Sequence, residues 1–389
     1  MANKPVINVA VIGIGLVGSE FIKQLLSIPS SPFQLVSLTS SSRTVFTPSS
    51  PIRSADSWKD ILAKSSEKPS LDVLTKNLSS LITPTSRVAV IDNTSSDEVA
   101  GHYPVWLEAG INVITPNKKA YSGDLGLYEK IIQVSKASGA KFLNESTVGA
   151  GLPVISTLKE LVATGDKIKR IEGVFSGTMS YIFNEFSTGS SSGPSFSSVV
   201  KVAREKGYTE PHPADDLNGF DVARKLTILS RTISLSESPI ATSLPSLQSF
   251  KSVQTASLIP PPLEGVPTGD EFVSRLPEYD AEFDEKRKQA SDNKKVLRFV
   301  GVVDAEKGEV KAALQEYAFV DLWMGRLLSV FLMSRYPVDH PFATSLGGSD
   351  NIIMFHTERY SPRPLIVQGA GAGAAVTAMG VLGDLLKLT

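Results

Sequence analysis

Cysteine is absent from all 389 residues. That one absence removes disulfides, thiolate metal sites and every mechanism that runs through a cysteine nucleophile. Histidine is scarce: only His102, His212, His340 and His356 occur, none in HExxH spacing. A zinc alcohol dehydrogenase centre, typically built from Cys and His, is therefore not expected. Long apolar runs are also missing; none approaches the roughly 20 residues that cross a bilayer. The N-terminus, MANKPVINVAVIGIG, enters a strand without a leader segment, so the chain reads as cytoplasmic and not membrane-bound. No excess of positive charge exists either. Lys plus Arg number 39 against 40 Asp plus Glu, a formal net charge of -1, whereas nucleic-acid binders carry a basic surplus to neutralise phosphates. A small-molecule substrate is expected, and no nucleic acid.

What is present is enough apolar residue, 41%, to fill more than one core, and a chain of this length favours two or three packed domains. Residues 6–12 form a β-branched run, followed by Gly13-Ile14-Gly15-Leu16-Val17-Gly18 and an amphipathic stretch from Ser19 to Ile28. Further apolar runs at Phe33 to Thr39, Val88 to Asp92 and Ile111 to Thr115 alternate with helical segments such as Asp124 to Ser138. That alternation predicts a doubly wound parallel sheet. After Asn144 the rhythm changes, with a periodic segment from Leu152 to Ala163 and a strand from Ile168 to Phe175. The Ser-rich stretches Ser37 to Ser57 and Ser187 to Ser198 read as surface loops, and charge-dense Asp280 to Lys295 as a solvated helix. Near the end, strand-like Leu365 to Gln368 precedes Gly369-Ala370-Gly371-Ala372-Gly373 and an apolar helix, which resembles the first strand–helix unit in composition. The C-terminus is therefore expected to return to the nucleotide domain.

A lone GxGxxG is weak evidence, but here it follows a strand and opens a helix whose free N–H groups suit a pyrophosphate. The acidic residue that reads a ribose 2′-hydroxyl in NAD sites is missing from Leu38-Thr39-Ser40-Ser41-Ser42-Arg43. Arg43 either holds the 2′-phosphate of NADP or is a solvated loop cation. NADP and NAD both remain open as cofactor.

Four carboxylates and a lysine fall within sixteen residues from Glu210 to Lys225: Glu210, Asp215, Asp216, Asp221 and Lys225. Asp221 and Lys225 share a helix face at i, i+4. Either they are a surface ion contact of small value, or neighbouring Phe220, Val222, Leu226 and Ile228 bury them and the lysine serves proton transfer. A second lysine pair, Lys118-Lys119, follows a strand of the first domain, where open sheets bind ligands, and one of the two is expected to be merely solvated. Asp92-Asn93-Thr94-Ser95-Ser96 follows another such strand. In the glycine-interrupted loop Asn144 to Leu152, a carboxylate beside a kinked backbone offers oxygen ligands of the kind a hard monovalent cation takes, or the loop satisfies itself with water.

Taken together these segments resemble homoserine dehydrogenases, particularly the short fungal form without an appended regulatory domain. The resemblance rests on IGIGLVGSEF, DNTSS, TPNKKA, ESTVGAGLP, IEGVFSGTMSYIFNEFS, GYTEPHPADDLNGFDVARK, NKKVLRFVG and IVQGAGAGAAVTAMGVLGD, in the family's order over nearly the whole chain. It implies a Rossmann-type domain from residues 1–150 with 360–389, an α+β catalytic and dimerisation domain at 151–359, and a homodimer. It implies that Lys225 gives and takes the proton, assisted by Lys118, and that Glu210, Asp216 and Asp221 bind substrate. Gly13, Ile14, Gly15, Leu16, Val17, Gly18, Thr94, Ser95, Lys118, Gly207 and Gly373 would touch the dinucleotide. Glu145 with the carbonyls of Val148, Ala150 and Leu152 would match the family's sodium site. The implied reaction is reversible hydride transfer between L-aspartate 4-semialdehyde and L-homoserine. The absence of cysteine agrees, since the thioester route of semialdehyde dehydrogenases needs a thiol. Two other readings stand beside it: a dehydrogenase for another small amino or hydroxy acid, and a non-catalytic dinucleotide sensor.

One stretch departs from the family. Between Tyr317-Ala318-Phe319 and Asp339-His340-Pro341-Phe342-Ala343 lie about eighteen extra residues, VDLWMGRLLSVFLMSRYP at 320–337, and Val320-Asp321 recurs as Val338-Asp339. The insert is apolar and foreign to the family, and it reads as an unremoved intron; a transcript amplified across it decides.

Overall fold

The computed structural model describes residues 5–29, 31–234, 243–318 and 340–389, so the insert at 320–337 lies outside the described residues. The chain divides into two units, Met1–Thr157 with Ala372–Thr389, and Leu158–Gly371.

The first unit is built on strands β1 (Val6–Ile12), β2 (Phe33–Thr39), β3 (Thr44–Phe46), β4 (Ser86–Asp92), β5 (Asn112–Ile114) and β6 (Phe142–Leu143), in the order β3-β2-β1-β4-β5-β6. All neighbours are parallel except β2 and β3. From Ile7 to Ile12 every residue of β1 is buried, as a strand covered on both faces requires. Because β2 lies on one side of β1 and β4 on the other, the chain order reverses at β1. The carboxyl ends of β1 and β4 flank that reversal, which is where open sheets of this kind bind ligands. The Ser-rich stretch from Ser37 is not all loop: Ser37 to Thr39 complete β2 and Thr44–Phe46 pair back on it.

The C-terminal helix, Ala374–Leu386, belongs to this unit, and its Ala378, Val381 and Leu385 join Phe21, Ile22 and Leu25 of the glycine-turn helix, Leu16–Leu26, in one apolar cluster. The strand before it does not follow. Leu365–Ala370 hydrogen-bonds antiparallel in the other sheet, so the chain divides at residues 371 and 372 rather than near 360. The glycine run 369–373 is thus no second parallel strand-to-helix turn.

The second unit carries β7 (Ile168–Val174), β8 (Gln254–Thr255), β9 (Lys295–Asp304), β10 (Glu309–Ala318), β11 (Asp350–Thr357) and β12 (Leu365–Ala370), ordered β12-β11-β7-β9-β10-β8. Only β8 and β10 run parallel. Against it packs the helix Phe220–Ser234, whose Leu226 approaches Gly301 of β9 so closely that an added Cβ there would lie 2.8 Å from it. The charge-dense helix, Asp280–Asp292, is not wholly solvated: Phe283, Arg287 and Ala290 are buried, and the Phe283 ring stacks on Phe196 at 3.8 Å. No helix among the described residues is long and apolar enough to cross a membrane.

Candidate active site

In the first unit the turn after β1 is shaped by its glycines. Gly13 has a φ of +86°, and a Cβ there would meet the Asn93 backbone at 2.9 Å; one at Gly18 would lie 2.0 Å from the Gly13 carbonyl oxygen. Gly15 faces open space. The first and third glycines therefore close the turn, while the second leaves room for a ligand. The helix Leu16–Leu26 starts at Gly15 with no side-chain cap, and Leu16 is 84% exposed. Its first N–H groups are left to whatever binds there, and an anion is the natural partner. Ile14 and Val17 turn their side chains into the core cluster, so only their backbones can serve a dinucleotide.

Asn93 sits beside this turn, and both its Oδ1 and Nδ2 are buried without a hydrogen-bond partner among the described residues. An orphaned amide in a glycine cradle fits a polar ligand, and a dinucleotide matches both. The sequence pattern marks the segment that contains Asn93 but assigns a role only to Thr94 and Ser95. Ser95 is exposed, and the Thr94 N–H donates to Asp92 Oδ1 at 2.8 Å. At the β2–β3 turn, Arg43 is not a free loop cation: its guanidinium donates to the Ala63 carbonyl, and its backbone N–H to Ser40 Oγ at 3.0 Å.

Asp92, at the end of β4, is completely buried. It accepts from the Tyr103 hydroxyl and, at 3.1 Å, from Asn117 Nδ2, which also donates to the Ser96 carbonyl at 3.0 Å. Burial raises its carboxyl above the usual range despite these bonds. One buried acid thereby ties the loop bearing Thr94 to the loop bearing Lys118. Of the two adjacent lysines, Lys119 pairs with Asp97; Lys118 is half-buried at the start of the short helix Lys119–Ser122.

In the second unit the Lys225 ammonium is 2.6 Å from Asp221 Oδ2. The lysine is only 7% exposed, whereas Asp221 is half-exposed. That removes the plain surface ion contact. Phe220 takes no part in the burial, being 42% exposed against Phe250. Lys225 Nζ also donates to the Phe175 carbonyl at 2.7 Å, just past the end of β7.

Asp216 accepts the Glu210 backbone N–H at 2.8 Å. Its carboxyl is pushed up to about 6, chiefly by burial, which outweighs that N–H and the Thr178 hydroxyl beside it. Glu210 itself is exposed. Thr178, which lies in a motif of the sequence that gives it no role, donates to the Tyr208 carbonyl at 2.6 Å and so ties the start of the helix Gly177–Phe186 to the acidic loop. Gly207 stops the helix Phe196–Glu205 with a φ of +71°, its N–H on the Arg204 carbonyl at 2.9 Å.

Glu145 is buried, and its carboxylate accepts the N–H groups of Ile155 at 2.7 Å and Ser156 at 3.0 Å, with Lys387 Nζ at 3.4 Å. Its own N–H donates to Asp384 Oδ2 at 2.7 Å. Gly149 and Ala150 both have positive φ, 77° and 55°, which kinks the loop that bears the Val148, Ala150 and Leu152 carbonyls. This all-oxygen donor set suits a hard monovalent cation, with Lys387 a competing positive charge. Gly373 opens the C-terminal helix at a φ of 121° with no side-chain cap.

A family model described as homoserine dehydrogenase matches residues 153–386, and one described as homoserine dehydrogenase, NAD binding domain, matches residues 13–145. Homoserine dehydrogenase of Saccharomyces cerevisiae is 46% identical over 387 residues, 98% of each chain. That of Schizosaccharomyces pombe is 42% identical over 396 residues, covering 100% of this chain and 96% of its own. Among solved structures, a protein of unknown function from Candida auris is 43% identical with a TM-score of 0.84, covering 98% of this chain and 97% of that one. A hyperthermophilic archaeal homoserine dehydrogenase mutant in complex with NADPH is 22% identical with a TM-score of 0.65, covering 98% and 97%, a likeness of fold.

Proposed function

The chain belongs to the homoserine dehydrogenase family, and on that premise we propose which of its residues carry the reaction. The activity is the NAD(P)-dependent interconversion of L-aspartate 4-semialdehyde and L-homoserine, in the synthesis of threonine, methionine and isoleucine from aspartate. The dinucleotide, when bound, supplies or takes the hydride. Everything else falls to the protein.

Lys225 carries the proton. As the aldehyde is reduced its oxygen gains charge, and the Lys225 ammonium protonates the developing alkoxide; in the reverse direction the neutral amine removes the hydroxyl proton. The observation that carries this assignment is the buried ammonium held between Asp221 Oδ2 and the Phe175 carbonyl. Two acceptors hold the amine from different elements, so less order is lost when substrate arrives. Glu210 and Asp216 bind the substrate ammonium, Asp221 its hydroxyl end, and Lys118 assists near the nicotinamide. Gly13 to Gly18, Asn93, Thr94, Ser95, Gly207 and Gly373 serve the dinucleotide through backbone and amide groups. Arg43, held at the β2–β3 turn, faces the 2′-phosphate of NADP, and the archaeal relative with NADPH supports that coenzyme.

Glu145 with the carbonyls of Val148, Ala150 and Leu152 holds Na+ or a similar cation, supported by its oxygen-only donors. Melting in sodium chloride against tetramethylammonium chloride at equal ionic strength tests it: sodium raises the melting temperature of the parent and not of Glu145→Gln. A cytoplasmic homodimer is what the family resemblance implies, and the edge strand β12, where Ile366 is 41% exposed, is left unpaired on one side among the described residues; light scattering reports the mass.

The deciding experiment is Lys225→Ala beside the parent. Homoserine-dependent NAD(P)H formation should fall by about 100-fold or more, the scale of a lost general acid–base group, while dinucleotide fluorescence still reports binding. Turnover within a few-fold of the parent overturns the assignment.

A further inference from the structure

Phe175 lends its carbonyl oxygen to two side chains. Lys225 Nζ donates to it at 2.7 Å, and Asn351 Nδ2, from β11, donates to it at 2.9 Å. Asn351 is completely buried, and its Oδ1 has no partner among the described residues. Leaving a buried acceptor unsatisfied is costly, and an apolar side chain of similar shape would avoid that cost. The amide is also tightly confined: a Cβ added at Gly371 would lie 2.0 Å from Asn351 Cγ, 2.1 Å from Nδ2 and 2.4 Å from Oδ1. The amide therefore lies where a side chain at residue 371 would have to be, and only glycine leaves it that space.

We propose that Asn351, held by Gly371, is a positioning residue for proton transfer: it fixes the Phe175 carbonyl on which the Lys225 amine is aimed. This deepens the assignment of Lys225 and rests on it. Two physical consequences follow. A carbonyl held by a second donor cannot swing, so the ammonium keeps its direction. A carbonyl already shared with Asn351 is also a weaker acceptor for that ammonium, and because hydrogen bonds to the charged form favour it, sharing keeps the neutral amine accessible. Neither consequence requires Asn351 to touch substrate.

The test compares Asn351→Ala, Gly371→Ala and the double variant in the full chain, with homoserine and NADP+, across pH. In Asn351→Ala, kcat for homoserine oxidation should fall about 10- to 100-fold, the scale of a slightly misplaced catalytic group, with KM for homoserine changed less than about threefold. The ascending limb of its pH profile should move upward by about half a pH unit, because the unshared carbonyl holds the charged lysine more firmly. Gly371→Ala should shift the limb the same way by displacing the amide. In the double variant the new methyl meets no amide, so the two effects should fail to add. Should Asn351→Ala not fold, the pH profile of Gly371→Ala decides alone.

An ascending limb that stays at the parent's position in folded Asn351→Ala overturns the proposal even where kcat or thermal stability falls. Full additivity of the two substitutions overturns it as well. Lys225→Ala separates the two levels of inference: if that variant keeps the parent's turnover, the lysine assignment fails; if turnover is lost while Asn351→Ala keeps the parent's limb, only the positioning role fails.

Discussion

Replacing Tyr103 by Phe removes one hydroxyl and almost nothing else. Both Tyr103 and Asp92 are completely buried, so no water is at hand to take over the lost donor. The Asp92 carboxylate would keep Asn117 Nδ2 at 3.1 Å and the Thr94 N–H at 2.8 Å, and the ring would keep its packing on Trp106 and Phe142. The loss is thus one hydrogen bond to a charged group, together with a longer contact to Thr115 Oγ1 at 3.2 Å: about 1.5–3 kcal/mol when Asp92 is ionised, and about 1 kcal/mol when it is protonated. The sign of the pH dependence follows from linkage. Burial raises the folded Asp92 above its ordinary value of 3.8, so its ionisation works against folding: this contribution is absent below about 3.8 and grows as pH rises toward the folded value. The Tyr103 bond lowers that value. Without it the folded carboxyl rises further, so the gap between parent and variant should be smallest near pH 4 and widen toward pH 8. Urea unfolding followed by the fluorescence of Trp58 and Trp106, both buried in the same unit, measures the gap. A difference that stays constant across this range, or one below about 0.5 kcal/mol at pH 8, would refute the idea that Asp92 is ionised and held by Tyr103.

Three further outcomes are expected. On the proposed role Asp216 has to be ionised to bind the substrate ammonium, and its carboxyl is pushed up to about 6, so KM for homoserine should fall as pH rises through that value; Asp216→Asn should flatten the dependence, measured by initial rates from pH 5 to 8. Lys118→Ala should lower kcat/KM about tenfold or more, whereas Lys119→Ala, which removes an exposed ion pair with Asp97, should change it less than about threefold. Arg43→Ala should raise KM for NADPH about tenfold and leave KM for NADH unchanged, since only NADPH carries the 2′-phosphate a guanidinium would hold.

The parts of the fold that were legible are those in which local sequence and tertiary role coincide. A strand buried on both faces reads as an uninterrupted apolar run, and β1 is one. A turn that can hold no side chain reads as glycine, and Gly13 and Gly18 have none to spare. β3 escaped because three residues of an edge strand, Thr44–Phe46, carry no period and sit among serines. The fate of Leu365–Ala370 was hidden for another reason. Its composition matches β1, but its partner is β11, which pairs in turn with β7. Sheet membership is decided by those distant pairings, to which the glycines after the strand are indifferent.

The candidate site divides along the same line. The i, i+4 spacing of Asp221 and Lys225 is visible in sequence because the helix sets it, but whether the ammonium is buried depends on how closely its helix approaches the sheet. That approach is granted by Gly301, where a Cβ would come within 2.8 Å of Leu226 and 2.9 Å of Phe175. The same glycine so allows Phe175 and the lysine helix to share one layer, and the carbonyl of Phe175 then lies within reach of both Lys225 and Asn351. A glycine on β9, a carbonyl after β7 and an amide on β11 combine only once three strands are adjacent. A pattern local to any one of them has no period or spacing to betray the other two, which is why the Asp221–Lys225 spacing could be read from the sequence and the contacts around the ammonium could not.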